Sequence, residues 1–120
     1  MITEDYVSFE TAKLLKEKGF DEPCNHYDDC GQFWIPGGYN KNLSYHFPAP
    51  TLQMAMKWLR EERKLYVNVW ADPKNVENND FRTIFRMHVY DGTSNYGTSE
   101  FFTYEEACEA AIKYCLKNLI

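Results

Sequence analysis

The sequence predicts an α+β fold with helices packed on one face of an antiparallel sheet, in the order α-(ββ)-α-β-β-α. Three observations carry that prediction. Leu52, Ala55, Met56 and Leu59 recur at the spacing that lines one side of a helix, with Lys57, Arg60, Glu61 and Glu62 largely on the other. From Leu65 the period drops to two, so Leu65, Val67, Val69 and Ala71 point one way and Tyr66, Asn68 and Trp70 the other. Between Phe81 and Tyr90 the same alternation returns, with Thr83, Phe85, Met87 and Val89 on one side and Ile84, Arg86, His88 and Tyr90 on the other.

In chain order, Ser8 caps a first helix of about Ser8 to Lys18, with Phe9, Ala12 and Leu15 or Lys16 in helical period. Gly19 suits the left-handed position just past its end, and Phe20 folds back on Leu15. The stretch from residue 21 to 50 is broken by Pro23, Gly31, Pro36, Gly37, Gly38, Pro48 and Pro50. Gln32 to Ile35 and Leu43 to Phe47 read as a hairpin joined by the turn-rich Pro-Gly-Gly-Tyr-Asn-Lys-Asn. Pro50 is placed in the first turn of the central helix, where its missing N–H costs nothing.

That helix runs from about Leu52 to Arg63, with the strand from Leu65 to Ala71 close behind. Asp72-Pro73 is expected to end the ladder, and a polar loop to run through Asn79 and Asp80 before the Phe81–Tyr90 strand. Asp91-Gly92 opens a further turn, followed by a short strand near Thr98 to Phe102. Thr103 and Glu106 form a capping box for the last helix, whose buried stripe is Ala107, Cys108, Ala111, Cys115 and Leu119. Glu105, Glu106 and Glu109 lie early in it and Lys113 and Lys117 late, as the helix dipole favours.

The totals bound the class. One hundred and twenty residues make a single domain, 1–120, large enough to bury a core without disulfides or metal. Eighteen acidic against thirteen basic residues give a net charge of −5, which disfavours a duplex nucleic-acid binder. No apolar run is long enough to span a membrane, and the acidic start MITEDYVSFE lacks a signal peptide's apolar core. A cytoplasmic location is the expectation, with the four Cys as thiols or metal ligands rather than disulfides. Aromatic residues make up 17% of the chain, more than a core this small needs, so some rings are expected at an interface.

The phrases SFETAKLLKEKGFDEPC, APTLQMAMKWLREE and TYEEACEAAIKYCL resemble those of a family of small uncharacterised proteins from bacterial prophages and other mobile elements. The resemblance covers the two ends and the centre of the chain, and less of residues 25–47. It implies a bacterial, phage-derived, cytoplasmic protein of accessory character. It attaches no activity and transfers no catalytic residue.

Few constellations carry chemistry. Cys24, His26 and Cys30, with His46 further on, are N and S donors of the kind zinc takes. Their spacing is not that of a standard finger, and chance clustering in a loop is the plainer reading. Cys108 and Cys115 share the buried stripe of the last helix as small hydrophobes. Cys24, His26, Asp28 and Asp29 could be assembled into a thiol or acid–base site, but loop neighbours seldom hold nucleophile and base in reach. No nucleophile elbow, phosphate-binding loop or His-Glu-x-x-His is present, so no enzyme is expected and no cofactor is called for.

The second face of the predicted hairpin holds more interest. Tyr66, Trp70, Arg86, His88 and Tyr90 share it with Asn68 and Ile84, placing aromatics beside cationic groups. Three uses follow from that composition. It is a surface for a protein partner or a second copy, or a stacking platform for single-stranded nucleic acid with Arg82 and Arg86 on phosphates, or it is covered by residues 25–47. The leading reading is a non-enzymatic interaction module that presents this face, or the acidic helix surface, to a protein.

Overall fold

A computed structural model describes residues 1–35 and 37–120, with side chains for all of these but Thr98 and Ser99. Its elements are α1 (Phe9–Glu17), β1 (Asn25–Tyr27), β2 (Phe33–Trp34), β3 (Phe47–Ala49), α2 (Leu52–Arg63), β4 (Tyr66–Glu77), β5 (Asp80–Tyr90), β6 (Asn95–Phe101) and α3 (Tyr104–Tyr114). A π-helical turn, Cys115–Leu119, closes the chain. The strands form two antiparallel sheets, β2-β1-β3 and β4-β5-β6. This is the α+β class the sequence predicts, with one unexpected strand, β1, and with the short last strand present as β6.

The helices start and stop where their local chemistry requires. Ser8 accepts the Thr11 N–H, Thr51 the Met54 N–H and Thr103 the Glu106 N–H, each supplying an oxygen to an otherwise orphaned donor. At the end of α1 the Gly19 N–H returns to Lys16 and the Phe20 N–H to Leu15, with Gly19 at φ +91° and Phe20 buried. That is the Schellman closure and its apolar contact. Helix α2 ends differently: Lys64 takes the left-handed position at φ 56°, and the Leu65 N–H returns to Leu59. The reversal is so tight that β4 begins only three residues after the helix and lies under it.

Helix α3 rests on β4 and β5, with α2 beside it on β4 and α1 against its other side; α1 in turn carries β3. One core results, holding Leu15, Phe20, Leu52, Ala55, Met56, Leu59, Met87, Val89, Ala111 and Ile112, with Val67, Val69 and Phe85 packed at its margin. Trp58, outside the predicted stripe, is buried too, edge-on to Phe20 and capped by the Arg63 guanidinium.

Several expectations are corrected. Gln32–Ile35 and Leu43–Phe47 do not pair with each other. Strand β1, which periodicity misses, lies between β2 and β3 and pairs with both, and residues 43–46 form turns instead. Pro36, which opens the predicted turn, lies outside the described residues. Pro50 precedes the cap rather than occupying the first turn, and is buried against the N-terminal segment through Val7 N–H to Pro50 carbonyl at 3.1 Å.

Asp72-Pro73 does not end its strand. β4 continues to Glu77, and Pro73 sits opposite Thr83. Because β4 is an edge strand, a proline whose nitrogen faces away from β5 removes no ladder bond. The expected polar loop is a two-residue turn, Asn78-Asn79, with φ of 45° and 64°, the positive pair a type I′ hairpin needs. Beyond Ala71 this hairpin projects past the helices as a two-stranded arm with Val76 and Phe81 exposed, within a molecule 54 Å in its longest dimension. The last strand begins at Asn95, earlier than expected.

Leu59 is fully buried in α2. Leu59→Ala should cost about 2–5 kcal/mol in chemical denaturation, the range for a large aliphatic side chain that leaves a cavity. A loss below about 0.5 kcal/mol, the size of an ordinary surface change, would place the core elsewhere.

Candidate functional site

The candidate site is the outer face of the β4-β5-β6 sheet, and the register of the strands builds it. Tyr66 lies opposite Tyr90, Asn68 opposite His88 and Trp70 opposite Arg86, while Val67, Val69 and Ala71 face Val89, Met87 and Phe85 on the helix side. All five predicted surface residues, Tyr66, Trp70, Arg86, His88 and Tyr90, therefore share one face, as the alternation requires. Tyr66, Trp70 and Tyr90 are exposed at 38%, 42% and 39%. The described residues of the 25–47 segment do not cover them. That segment forms the small sheet on α1, where Phe9 packs on Tyr27 and Phe47, on the far side of the helical layer.

The aromatics form two neighbouring pairs on this face. The Tyr66 and Tyr90 ring centroids are 6.3 Å apart, and Trp70 meets His88 edge-on at 5.6 Å. His88 Nε2 lies 3.2 Å from the Asn68 amide nitrogen, and the Tyr90 hydroxyl donates to the Gly92 carbonyl at 2.8 Å. Gly97 faces His88 across β5 and β6. A Cβ there would lie 2.6 Å from the Met87 carbonyl oxygen and 2.7 Å from the His88 Cβ, so only glycine lets β6 approach at this rung.

One side of these pairs is bordered by charge. Arg86 Nε donates to Asp72 at 2.7 Å and its Nη2 lies 3.8 Å from Glu100, which Lys74 also pairs. Lys74 and Arg86 hold the Glu100 carboxyl below its ordinary pKa, chiefly through the Lys74 hydrogen bond. Arg86 is thus already matched by two carboxylates. Arg82 stands on the arm opposite Lys74, four residues along β5 from Arg86, roughly 13 Å away at the rise of a strand. Ile84, expected on the open face, is buried in a depression shared with Lys74, Glu100 and Phe102.

The predicted metal donors do not converge. Among the described residues the one group of three donors within reach of a single ion is Asp28, Asp29 and Cys30, on the surface. Asp28 is occupied there with turn bonds from the Cys30 and Gln32 N–H groups and the Trp34 indole N–H. Cys24 is partly buried, and desolvation pushes its thiol up to about 11. His26 and His46 stack face to face, centroids 3.7 Å apart. His26 Nδ1 donates to the Gly37 carbonyl at 2.7 Å and His46 Nδ1 accepts the Asn40 N–H at 3.2 Å, so neither Nδ1 is directed to an ion. Cys108 and Cys115 are fully buried, their thiols raised by desolvation to about 11 and about 12, as small core residues.

The acidic helix surface is also placed. Glu105, Glu106 and Glu109 line a hollow with Glu4 and Asp5 of the N-terminal segment. Within it Glu109 is structural, accepting from the Ser8 N–H, the Ser8 hydroxyl and the buried Thr11 hydroxyl. No helix among the described residues is long and apolar enough to cross a membrane. Compared with family models, curated proteins and solved structures, the chain matches none.

Two measurements test the histidine loop. Added zinc or a chelator should leave the melting curve unchanged, whereas a rise with stoichiometric zinc would show that the donors rearrange around an ion. Desolvation, helped by His26 and Lys16, lowers the His46 pKa below its unfolded value. The folded state therefore prefers neutral His46, and its contribution is full above the unfolded pKa of about 6.5 and lost as pH falls through the lowered folded value. Wild type should lose stability on acidification through that window, and His46→Gln should lose less. Equal slopes in the two proteins would rule His46 out as the cause.

Proposed function

We propose that this protein is a non-enzymatic interaction module that binds another protein through the outer face of its larger sheet. The observation that carries the reading is the exposure of Tyr66, Trp70 and Tyr90 on one sheet face that the helices leave uncovered. Aromatic rings on a strand bury much area while losing little side-chain freedom, which is why they recur at the energetic centres of protein interfaces. The ion pairs of Asp72, Arg86, Glu100 and Lys74 form a polar border along one side, the arrangement of an apolar centre with a wet rim. An accessory role in the bacterial cytoplasm is part of the same proposal and rests on the sequence resemblance alone.

Stacking of single-stranded nucleic acid is the weaker reading. Arg86 is paired with two carboxylates, Arg82 stands away on the arm, and the chain carries a net charge of −5. Phosphate binding depends on cations that are available to the ligand.

The test separates binding from folding. Trp70→Ala should cost less than about 1 kcal/mol of stability, as a surface change, but weaken protein association by about 2 kcal/mol or more. A photo-crosslinker at position 90 should capture a discrete protein that Trp70→Ala loses, while one at the exposed Glu62 on α2 should not. Single-stranded oligonucleotides should leave the Trp fluorescence unchanged at low and high salt. Unfolding of Trp70→Ala, or a salt-sensitive response to oligonucleotide, would overturn the reading.

A further inference from the structure

The outer edge of β4 presents a second and different surface. β4 pairs only with β5, and among the described residues no strand lies along its other side. Pro73 fixes which backbone groups point that way. Having no N–H, it must occupy a rung that makes no direct bonds to β5, and bonding and non-bonding rungs alternate in an antiparallel pair. The rungs from Tyr66 to Asn75 are continuous, so Val67, Val69 and Ala71 direct N–H and C=O outward with Pro73. Natural edges are protected by charge or proline. Here that protection, Asp72-Pro73-Lys74, starts only after six uncharged residues, Tyr66 to Ala71, of which Tyr66, Val67, Val69 and Trp70 are good strand formers.

We infer that a second copy of this chain pairs with this edge, β4 antiparallel to β4, with Asn68 of each copy on the two-fold axis. Residues opposite each other must share a face, so the register can shift only in steps that keep outer-face residues together. With Asn68 on the axis, Tyr66 lies opposite Trp70 of the second copy on both sides of it, Val67 lies opposite Val69, and Lys64 comes alongside Asp72. With Val69 on the axis, Tyr66 would meet Asp72 and Lys64 would approach Lys74. Cross-strand aromatic pairs and opposite charges stabilise a sheet and like charges destabilise it, so the first register is selected. The complementarity is with this strand's own sequence, which is why the occupant is a second copy and not an unrelated strand. Pairing ends before Pro73, and the product is a six-stranded sheet whose two aromatic faces adjoin. This inference stands on the strand edge and holds whether or not the outer face binds a further protein.

Light scattering at high-micromolar concentration should give twice the mass of one chain. Asn68→Lys and Asn68→Asp each place like charges on the axis, at an exposed position, and should each weaken self-association at least tenfold. An equimolar mixture of the two should recover dimers. In wild type the Val67 and Val69 amides should exchange slowly with solvent as dimer and faster on dilution. A monomeric wild type, an N68K or N68D protein that dimerises as wild type does, or a mixture that stays monomeric would overturn the inference. So would a dimer whose Val67 and Val69 amides exchange freely, since that pairing would be face to face. The dilution series uses wild type alone and decides the matter even if a variant misfolds.

Discussion

The register of β4 against β5 is the constraint on which the rest of the structure depends. With Tyr66 opposite Tyr90, every odd-numbered residue from Val67 to Ala71 turns toward the helices and every even-numbered one toward solvent. A slip of one residue would bring Asn68, Trp70 and Asp72 into the core and expel Val67 and Val69. The cost of that exchange holds the strands in place, because the helices cover only one side of the sheet. The tight reversal at Lys64 enforces the same side, laying α2 back over the strand that follows it. Core and candidate site are two consequences of one pairing.

The first fifty residues are fastened to this unit by polar contacts at its edge as well as by packing. Glu109 of α3 receives three donors from the start of α1, among them the hydroxyl of Thr11, which is fully buried. A carboxylate beside a helix N-terminus is favoured by the helix dipole and by the unpaired N–H groups there. Tyr27 of β1 donates to the Val7 carbonyl at 2.5 Å, and the Val7 N–H reaches Pro50. Phe9 then forms the hub on which Tyr27 and Phe47 pack, with Gly31 so close that a Cβ would sit 3.0 Å from the ring. The small sheet is thereby committed to α1, and the larger sheet keeps its outer face open.

How far the sequence could be read follows from the range over which each signal acts. The limits of α2, the Ser8 and Thr103 caps and the Gly19 closure depend on neighbours a few residues apart and were legible; the Thr51 cap was not, because Pro50 reads equally well as a first-turn residue. So was the composition of the outer face, since alternation alone puts Tyr66 and Trp70, and Arg86, His88 and Tyr90, on common sides. Strand β1 has three residues and no apolar alternation, so nothing in Asn25-His26-Tyr27 marks it until β2 and β3 flank it. Pro73 reads as a terminator in the sequence, because its effect depends on whether its strand is an edge, a property of the sheet and not of the residue. The Asn78-Asn79 turn does carry a local signal, two residues tolerant of positive φ, but it marks a hairpin only if the strand continues past Pro73. The pairing of Arg86 with Asp72 and Glu100 joins three strands and is visible only once their register is known. The same holds for the donors of the 24–46 segment, whose separation in sequence says nothing of where β1 directs them.

The ion pairs beside the aromatic rings bear on what that face can do. Each of the four side chains is more than a third exposed, so solvent screens the pairs and their contribution to stability is small, about 0–1 kcal/mol apiece. Their effect is on geometry and charge. By matching Arg86 and Lys74 with Asp72 and Glu100, the network leaves the face near neutrality in a chain of net charge −5, and it fixes where the aromatic surface stops. A stacking site for phosphodiesters needs positive potential beside its rings, and this network removes it. An apolar contact with protein requires only that the rings be held firmly and that nearby charges be satisfied before water is excluded, because a charge stranded at an interface costs more than the contact returns. The outer face meets that second set of conditions and not the first.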